Sequence, residues 1–307
     1  MQVKIGQINF YRNSVFGDTG KYRLECLIKR LNEYSKRIQF EYCDCQTEEC
    51  DVVFYSLYDR IENLEKIVGN PLLIYWTDEN AGIGANEIHD DPFHFYKKDN
   101  LSISFYDDSS DNIFLPFFFT NIDDYIYTKN NLFVENPIKD KFATFCASNL
   151  SCYNAKLRTE VVKYISSEYK EVTCCGSVLN NTNGKLLGWS IEERFDFHRP
   201  YKFNICFENM YSSGNMIYMT EKLLNAFAYQ TIPIYWGAER VNEIINPNSY
   251  INCNDKSFEQ ILSEIKYFDE NEDAYYDMLN TYPFVYDLDD YLYDLFKKIY
   301  DAIVTRI

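Results

Sequence analysis

Short apolar runs alternate with amphipathic segments along the first half of the chain. The runs at residues 51–57 (DVVFYSL) and 71–76 (PLLIYW) are rich in β-branched and aromatic side chains, as buried parallel strands are. Together with similar runs, they predict strands at residues 2–10, 38–42, 51–57, 71–76, 102–106 and 113–119. A helix is predicted at residues 21–36, where apolar side chains recur at helical spacing at Leu24, Leu27, Ile28 and Leu31.

The second half of the chain repeats this alternation. Strands are predicted at residues 142–147, 171–175, 203–207, 231–236 and 249–252. Helices are predicted at residues 154–168, 220–229, 257–268 and 288–305. The stretch 120–141 between the two halves is polar and weakly periodic, so we place the junction between two domains there.

Two successive sets of alternating strands and helices predict an α/β protein with two Rossmann-like domains facing a central cleft. We expect the first domain at residues 1–130, the second at 131–285, and a C-terminal helix at 286–307. In folds of this class ligands bind where the carboxyl ends of the parallel strands meet the following loops. Polar side chains at those positions are therefore the candidates for function.

The formal net charge of the 307-residue chain is -17, which argues against a nucleic-acid partner because phosphate binding needs a basic surface. A small anionic ligand is still compatible with this charge if a few cations are focused at one site. The N-terminal residues MQVKIGQINFY predict a strand rather than a signal peptide, and no apolar run is long enough to span a membrane. We therefore expect a soluble, cytoplasmic protein.

Two sequence patterns resemble metal sites, but neither is convincing. The ten cysteines of a long chain without a secretory signal are expected to be reduced. Among them Cys43, Cys45 and Cys50 form a C-x-C-x4-C cluster whose spacing fits no common zinc site, so we expect free thiols in a loop. The D-x-D sequence at residues 287–289 precedes the last predicted helix, and we interpret it as helix-capping charge. The expectation is that no metal and no cofactor is used.

The predicted helix at residues 220–229 begins with Thr220-Glu221-Lys222 and follows a Gly/Ser/Asn loop. Thr220 is a good N-cap residue, and the N–H groups and positive dipole end of a helix favour a phosphate or diphosphate. Lys222 and Arg158 would add positive charge. Small polar residues follow neighbouring strands at Ser148, Asn149, Gly176 and Ser177. A purely structural capping box explains the pattern of the helix start equally well.

In the first half, Asp78, Glu79 and Asn80 follow the apolar strand 71–76 directly. A carboxylate at the end of a buried strand can act as a general base if it accepts a hydrogen bond from a substrate hydroxyl. A solvated acidic turn is the competing interpretation. His94 is a lone histidine that could contact an acceptor, and a structural role is at least as compatible with its surroundings.

Residues 201–237 (YKFNICFENMYSSGNMIYMTEKLLNAFAYQTIPIYWG) resemble the signature of the α-1,3-fucosyltransferases, most of all the bacterial members. That signature contains F-E-N, a loop, T-E-K, an amphipathic helix and a hydrophobic strand ending in glycine. Shorter stretches resemble other segments of the family in the same order: WTDENAG, KFATFCASN, CCGS and INPNSYINCND. The resemblance covers roughly residues 70–280 and is looser in the first half.

The resemblance implies a GT-B fold and an inverting, metal-independent transfer of fucose from GDP-fucose to an oligosaccharide of the galactose–N-acetylglucosamine type. By the same resemblance Glu79 is the general base. Asp78, Asn80 and His94 are further candidates for contacts with the acceptor, because of their positions in the chain. Arg158 and Lys222 neutralise the diphosphate. The other residues that the resemblance assigns to the donor are Tyr218, Glu221, Asn209, Glu208, Ser148, Asn149, Gly176 and Ser177.

The chain departs from the family's pattern at two places. Asp78 replaces the glycine that precedes the base, so two adjacent carboxylates compete for that role, although Glu79 aligns better. The loop 210–217 is longer than the family's. Two other functions are therefore kept open: a related GT-B transferase for another GDP-sugar or acceptor, and a binding protein for nucleotide sugars or carbohydrates without catalysis.

Overall fold

The computed structural model describes residues 1–8, 19–55, 61–76, 101–116, 122–148, 155–184, 186–188 and 190–307. The chain forms two compact units. The first combines Met1–Thr120 with Tyr286–Ile307, and the second is Asn121–Val285. The chain thus divides after Thr120 rather than after residue 130, and the C-terminal segment belongs to the first unit.

The first unit contains a parallel sheet of six described strands in the order β2-β1-β3-β4-β5-β6. All four residues of β3 and of β5 are buried, as the apolar runs predicted. A helix, α1 (Thr19–Tyr34), lies between β1 and β2 in sequence and contacts β2. The strands are β1 (Gln2–Ile8), β2 (Gln39–Tyr42), β3 (Val52–Tyr55), β4 (Leu72–Trp76), β5 (Leu101–Ser104) and β6 (Asn112–Phe114).

The second unit contains a parallel sheet of five strands in the order β11-β10-β9-β7-β8. The strand that follows β8 in sequence lies on the opposite side of β7, so the strand order reverses between β7 and β9. The strands are β7 (Lys141–Phe145), β8 (Val172–Cys174), β9 (Tyr201–Ser212), β10 (Ile232–Ala238) and β11 (Ile251–Asn252). In sheets of this topology the reversal point is where ligands bind.

Helices cover the second sheet. Three of them were not predicted: α2, α4 and α7. The helix α2 begins with two acidic residues and buries Ile122, Tyr125 and Thr128, a spacing of three that the polar composition of the stretch obscured. The helices are α2 (Ile122–Asn131), α3 (Ala155–Glu168), α4 (Ile191–His198), α5 (Glu221–Ala228), α6 (Phe258–Glu270) and α7 (Glu272–Leu279).

The last helix, α8 (Leu288–Val304), packs against α1 of the first unit. Ile299 and Ile303 have no exposed surface, and Lys298 forms an ion pair with Asp108 at 2.6 Å. The predicted capping role of the acidic run is confirmed, because the carboxylate of Asp287 accepts hydrogen bonds from the first N–H groups of α8. None of the described helices is long and apolar enough to cross a membrane.

The cysteines of the first unit differ from expectation in one respect. Cys43 and Cys50 are joined by a disulfide, so the prediction of free thiols was wrong for these two residues. Their side chains meet because the segment after β2 turns back into β3, and Cys45 between them is a buried free thiol. Within the part of the chain that the structure describes, no group of three or more His, Cys, Asp or Glu side chains could hold a metal ion.

Candidate active site

A cluster of polar side chains lies at the carboxyl ends of β7 and β9, where the strand order of the second sheet reverses. Arg158 extends from α3, the helix that follows β7, and Nη1 of its guanidinium donates to Oδ1 of Asn209 on β9 at 2.6 Å. Arg158 is only 5% exposed. The structure therefore brings together two of the residues that the sequence assigned to a donor site.

The carboxylate of Glu208 organises the neighbouring residues. It has no exposed surface, and its two oxygens accept hydrogen bonds from the backbone N–H of Thr220 at 2.7 Å and from its hydroxyl at 2.6 Å. Nζ of Lys222 donates to Oγ1 of Thr220 at 2.7 Å and lies 3.3 Å from oxygens of both Glu208 and Glu221. A buried strand carboxylate thus fixes the start of α5 and its lysine.

Burial and charge act in opposite directions on the ionisable groups of this cluster. Burial raises the pKa of Glu208, an effect that the positive charge of Lys222 opposes. Burial would lower the pKa of Lys222, but the carboxylates of Glu221 and Glu208 raise it above its ordinary value. For Glu221 burial would raise the pKa, and Lys222 holds it below the usual range. Lys222 is therefore a permanent cation and Glu221 a carboxylate at neutral pH.

Gly237 on β10 makes the close approach of Glu208 sterically feasible. A Cβ atom at this position would lie 2.5 Å from Cγ of Glu208 and 2.7 Å from the hydroxyl oxygen of Tyr235. The register of β9 against β10 also shifts here, between Trp236 and Ala238. The glycine that ends the family-like segment therefore has a packing role beside the buried carboxylate.

Thr220 occupies the predicted N-cap position of α5, but its side chain makes no capping hydrogen bond to the helix. Its hydroxyl is turned to Glu208 instead. The capping-box interpretation is therefore wrong. Because the hydroxyl of Thr220 bonds to a neighbouring carboxylate, it does not occupy the N–H groups at the start of α5. These N–H groups and the positive end of the helix dipole can still interact with an anion.

The turns after β7 and β8 are bonded to each other. Oγ of Ser177 donates to the backbone oxygen of Ser148 at 3.1 Å, and the N–H of Val178 donates to the oxygen of Ala147 at 2.9 Å. A side chain at Gly176 would overlap the backbone of Ala147. Gly176 thus lets the two turns pack closely, while Ser148 and Ser177 are exposed at the end of the sheet.

The segment predicted as the extended loop 210–217 is partly strand, because β9 continues to Ser212. The irregular part begins at Ser213, includes Gly214 in the left-handed region (φ 67°), and is held by Arg240, whose Nη1 donates to the oxygen of Gly214 at 2.9 Å. Tyr218 at the end of the segment is completely buried, and its N–H donates to Oγ of Ser212. The side chain of Glu221, in contrast, is 35% exposed.

Two groups beneath the site were not singled out from the sequence. Cys146, directly after β7, is half-buried beside Cys175 and within the electrostatic influence of Arg158, Arg194 and Glu221. His198 is a buried structural residue. Its ring stacks on Tyr229 and Nδ1 lies 3.1 Å from Oγ1 of Thr144, and burial lowers its pKa to about 3. Cys175 lies in the stretch CCGS and Cys146 in KFATFCASN, but the sequence alone does not show that these two cysteines are neighbours in the fold.

Five predicted site residues lie outside the described residues. They are Asp78, Glu79, Asn80 and His94 of the first half and Asn149 of the second. Their assignments stay predictions. The described candidates are therefore those assigned to the donor from the sequence, and they lie on or next to β7, β8, β9 and the starts of α3 and α5.

Comparisons with known proteins agree with this architecture. Residues 136–281 match the profile of glycosyltransferase family 10 (fucosyltransferase), C-terminal domain. The alpha-(1,3)-fucosyltransferase FucT of Helicobacter pylori is 40% identical over 149 residues, which cover 48% of this chain and 29% of that protein. Human 4-galactosyl-N-acetylglucosaminide 3-alpha-L-fucosyltransferase 9 is 28% identical over 59% of this chain and 46% of its own length. The matched parts thus span less than half of either relative.

A solved structure of an alpha1,3-fucosyltransferase with GDP-fucose superposes on 98% of this chain and 90% of its own, with a TM-score of 0.69 and 24% identity. The two parallel sheets therefore form the GT-B fold of glycosyltransferases, as predicted. The second unit matches the model of glycosyltransferase family 10 (fucosyltransferase), and the resemblance inferred from the sequence is confirmed.

The packing at Gly237 generates a test of the buried carboxylate cluster. Gly237→Ala should lower the free energy of unfolding by about 1–3 kcal/mol, because the new methyl group overlaps Glu208 and Tyr235 inside the protein. Urea unfolding measures the change. Gly188→Ala is the matched control. Its methyl group meets only the exposed side chain of Glu193, which can turn away, so we expect a change within about 0.5 kcal/mol. Equal small losses in both variants would contradict the packing role.

Proposed function

We propose that this protein transfers fucose from GDP-fucose to a hydroxyl group of an N-acetylglucosamine-containing acceptor, forming an α-1,3 linkage with inversion at the sugar carbon. The observation that carries the proposal is the pair of cations, Arg158 and Lys222, held at the carboxyl edge of a sheet whose unit matches the fucosyltransferases. The names of the relatives, an alpha-(1,3)-fucosyltransferase and a 4-galactosyl-N-acetylglucosaminide 3-alpha-L-fucosyltransferase, support the fucosyl group, the linkage and the acceptor type, and the solved relative with GDP-fucose supports the donor.

The cations would act on the leaving group. Transfer of a glycosyl group passes through an oxocarbenium-like state in which positive charge builds on the sugar and negative charge on the departing diphosphate. Fixed donors that are already oriented stabilise such charge without reorganisation. Arg158 can grip phosphate oxygens through two N–H groups, Lys222 adds a point charge, and the start of α5 contributes its dipole.

Glu221 is suited to hold the hydroxyl groups of the ribose or of the sugar. Lys222 keeps it ionised, and its carboxylate is partly exposed next to the cations. Asn209 is oriented by Arg158 and lines the same edge. Tyr218 contributes through packing, because its side chain is completely enclosed and its backbone fixes the approach to α5. Ser148 and Ser177 offer exposed hydroxyl groups at the neighbouring strand ends.

For the acceptor we propose Glu79 as the general base, on the resemblance of WTDENAG to the family. An inverting transfer needs a single base to remove the proton from the acceptor hydroxyl. The diphosphate leaves without a strong acid. Asp78, Asn80 and His94 are proposed as its neighbours at the acceptor. We also propose that no metal ion takes part, since Arg158 and Lys222 supply the charge that a metal would place on the diphosphate.

A transfer assay tests the function as a whole. The purified protein is incubated with GDP-fucose and a panel of disaccharides, with a metal chelator present, and both GDP and the fucosylated product are measured. We expect product with galactose–N-acetylglucosamine acceptors and undiminished activity with the chelator. Transfer from GDP-mannose but not GDP-fucose would identify another GDP-sugar as the donor. GDP binding with no transfer from any donor would favour a non-catalytic binding protein.

Replacing the proposed base separates chemistry from donor binding. Glu79→Gln should lower kcat by about a hundredfold or more while the Kd for GDP stays unchanged, because a general base contributes roughly 10²–10⁴ to the rate. Asp78→Asn is the matched control, since it removes the adjacent carboxylate. A larger loss in Asp78→Asn than in Glu79→Gln would assign the base to Asp78 instead. Full activity in both variants would show that neither Asp78 nor Glu79 is the general base.

Replacing the helix-start lysine tests the diphosphate site. Lys222→Ala should weaken GDP binding by about tenfold or more, because a charged hydrogen bond contributes roughly 1.5–3 kcal/mol. Isothermal titration calorimetry measures the Kd. Lys170→Ala is the control: Lys170 precedes β8 at the opposite edge of the same sheet and pairs with Asp269, so GDP affinity should not change. Equal affinities in the Lys222→Ala variant and the unmodified protein would remove Lys222 from the site.

A further inference from the structure

Two thiols lie side by side at the edge of the sheet that carries the donor site. Cys146 follows β7 directly and Cys175 follows β8 directly. The register pairs Phe145 with Cys174, and the N–H of Cys175 donates to the oxygen of Phe145 at 3.0 Å. Adjacent strands lie about 4.8 Å apart, which falls within the range of roughly 4.4–6.8 Å that the Cα atoms of a disulfide span.

The two thiols differ in chemical character. The thiol of Cys175 donates to the backbone oxygen of Phe145 at 3.8 Å, and its influence on the neighbouring sulfur of Cys146 lowers the pKa of Cys146 to about 7. Burial and the carboxylate of Glu221 oppose the shift, whereas the charges of Arg194 and Arg158 add to it. The neighbouring sulfur of Cys146, together with burial, raises the pKa of Cys175. A half-buried sulfur with a lowered pKa therefore lies beside a buried thiol, as in pairs that react with oxidants.

The other free cysteines that the structure describes in the second unit lack this combination. Cys174, Cys206 and Cys253 are buried, and burial raises the pKa of each above its ordinary value. Cys174 points to the opposite face of its strand and belongs to the apolar core. Among these described cysteines, oxidation should therefore begin at Cys146.

We propose that Cys146 and Cys175 form a redox-sensitive pair that closes to a disulfide on exposure to a peroxide and thereby lowers the affinity of the neighbouring site for the donor. The thiolate of Cys146 attacks a peroxide oxygen, the O–O bond breaks, and a sulfenic acid and a hydroxide ion result. The sulfur of Cys175 then attacks the sulfenic sulfur, the S–O bond breaks, and the departing hydroxide takes the thiol proton and leaves as water. Two thiols are oxidised and one peroxide is reduced.

The packing around the pair explains why closure would affect the donor site. The backbone of Ala147 lies directly against Gly176, with no room for a Cβ atom, and Ser177 is bonded to Ser148. Drawing the two sulfur atoms together must therefore shift both turns at once. This effect on donor binding rests on the proposed function, whereas the chemistry of the pair does not.

The test uses the full chain, treated with hydrogen peroxide and then with a reductant. Peptide mapping by mass spectrometry should find the Cys146–Cys175 linkage, and calorimetry should find GDP binding weakened by about tenfold and restored on reduction. In the reduced protein, iodoacetamide should modify Cys146 faster at neutral pH than Cys26, the half-buried cysteine of α1 that serves as internal reference. Bound GDP should slow the reaction at Cys146 and leave Cys26 unaffected.

Two variants make the result decisive. Cys175→Ser should trap Cys146 as a sulfenic acid that dimedone labels, and Cys146→Ser should leave Cys175 unmodified. In both variants the ratio of GDP affinities before and after peroxide should return toward one. Absence of the linkage in the unmodified protein, or an equal loss of GDP affinity in all three proteins, would overturn the proposal. If GDP fails to bind the reduced protein while the linkage still forms, the proposed function fails and the thiol chemistry stands.

Discussion

A carboxylate with no exposed surface, that of Glu208, ties strand β9 to the start of helix α5. An ionised carboxylate inside a protein is costly unless its oxygens are bonded, and here they accept from the N–H and hydroxyl of Thr220 and face Lys222. The need to pair this buried carboxylate explains why the side chain of Lys222 is oriented toward Glu208. It also explains the glycine at position 237, because only a residue without a side chain leaves room for Glu208.

This arrangement shows how the proposed anion site is compatible with a very acidic protein. Long-range charge of the chain, -17 in total, repels an anionic ligand, but that repulsion is screened within about 10 Å in salt. At short range Arg158 is nearly enclosed, and Lys222 is only 18% exposed, so their fields act in a region of low dielectric. Two well-placed cations and a helix end can therefore outweigh many solvated surface carboxylates.

The strand–loop–helix–strand unit of the second half could be predicted from the sequence, because its apolar runs are long and its polar residues fall at strand ends. Prediction failed where tertiary contacts override local patterns. The helix α2 lies in a polar stretch whose buried residues are few, and β9 continues past residue 207 because its polar residues Glu208 and Asn209 find partners on α5 and α3. Thr220 has the residue type and position of an N-cap, yet its hydroxyl donates to the buried carboxylate of Glu208 instead of capping the helix. The Cys43–Cys50 disulfide and the Cys146–Cys175 contact likewise depend on how distant segments meet.

The charge balance of the cluster also bears on how it would receive a diphosphate. Arg158 and Lys222 are matched by the carboxylates of Glu208 and Glu221 when both acids are ionised, so the resting cluster is close to neutral. Burial already raises the pKa of Glu208. A diphosphate bound next to Lys222 would add negative charge near this carboxylate and would raise its pKa further. A bound diphosphate would therefore shift Glu208 further toward its protonated form. Lys222 would still have its hydrogen bond to Thr220 and its contact with Glu221.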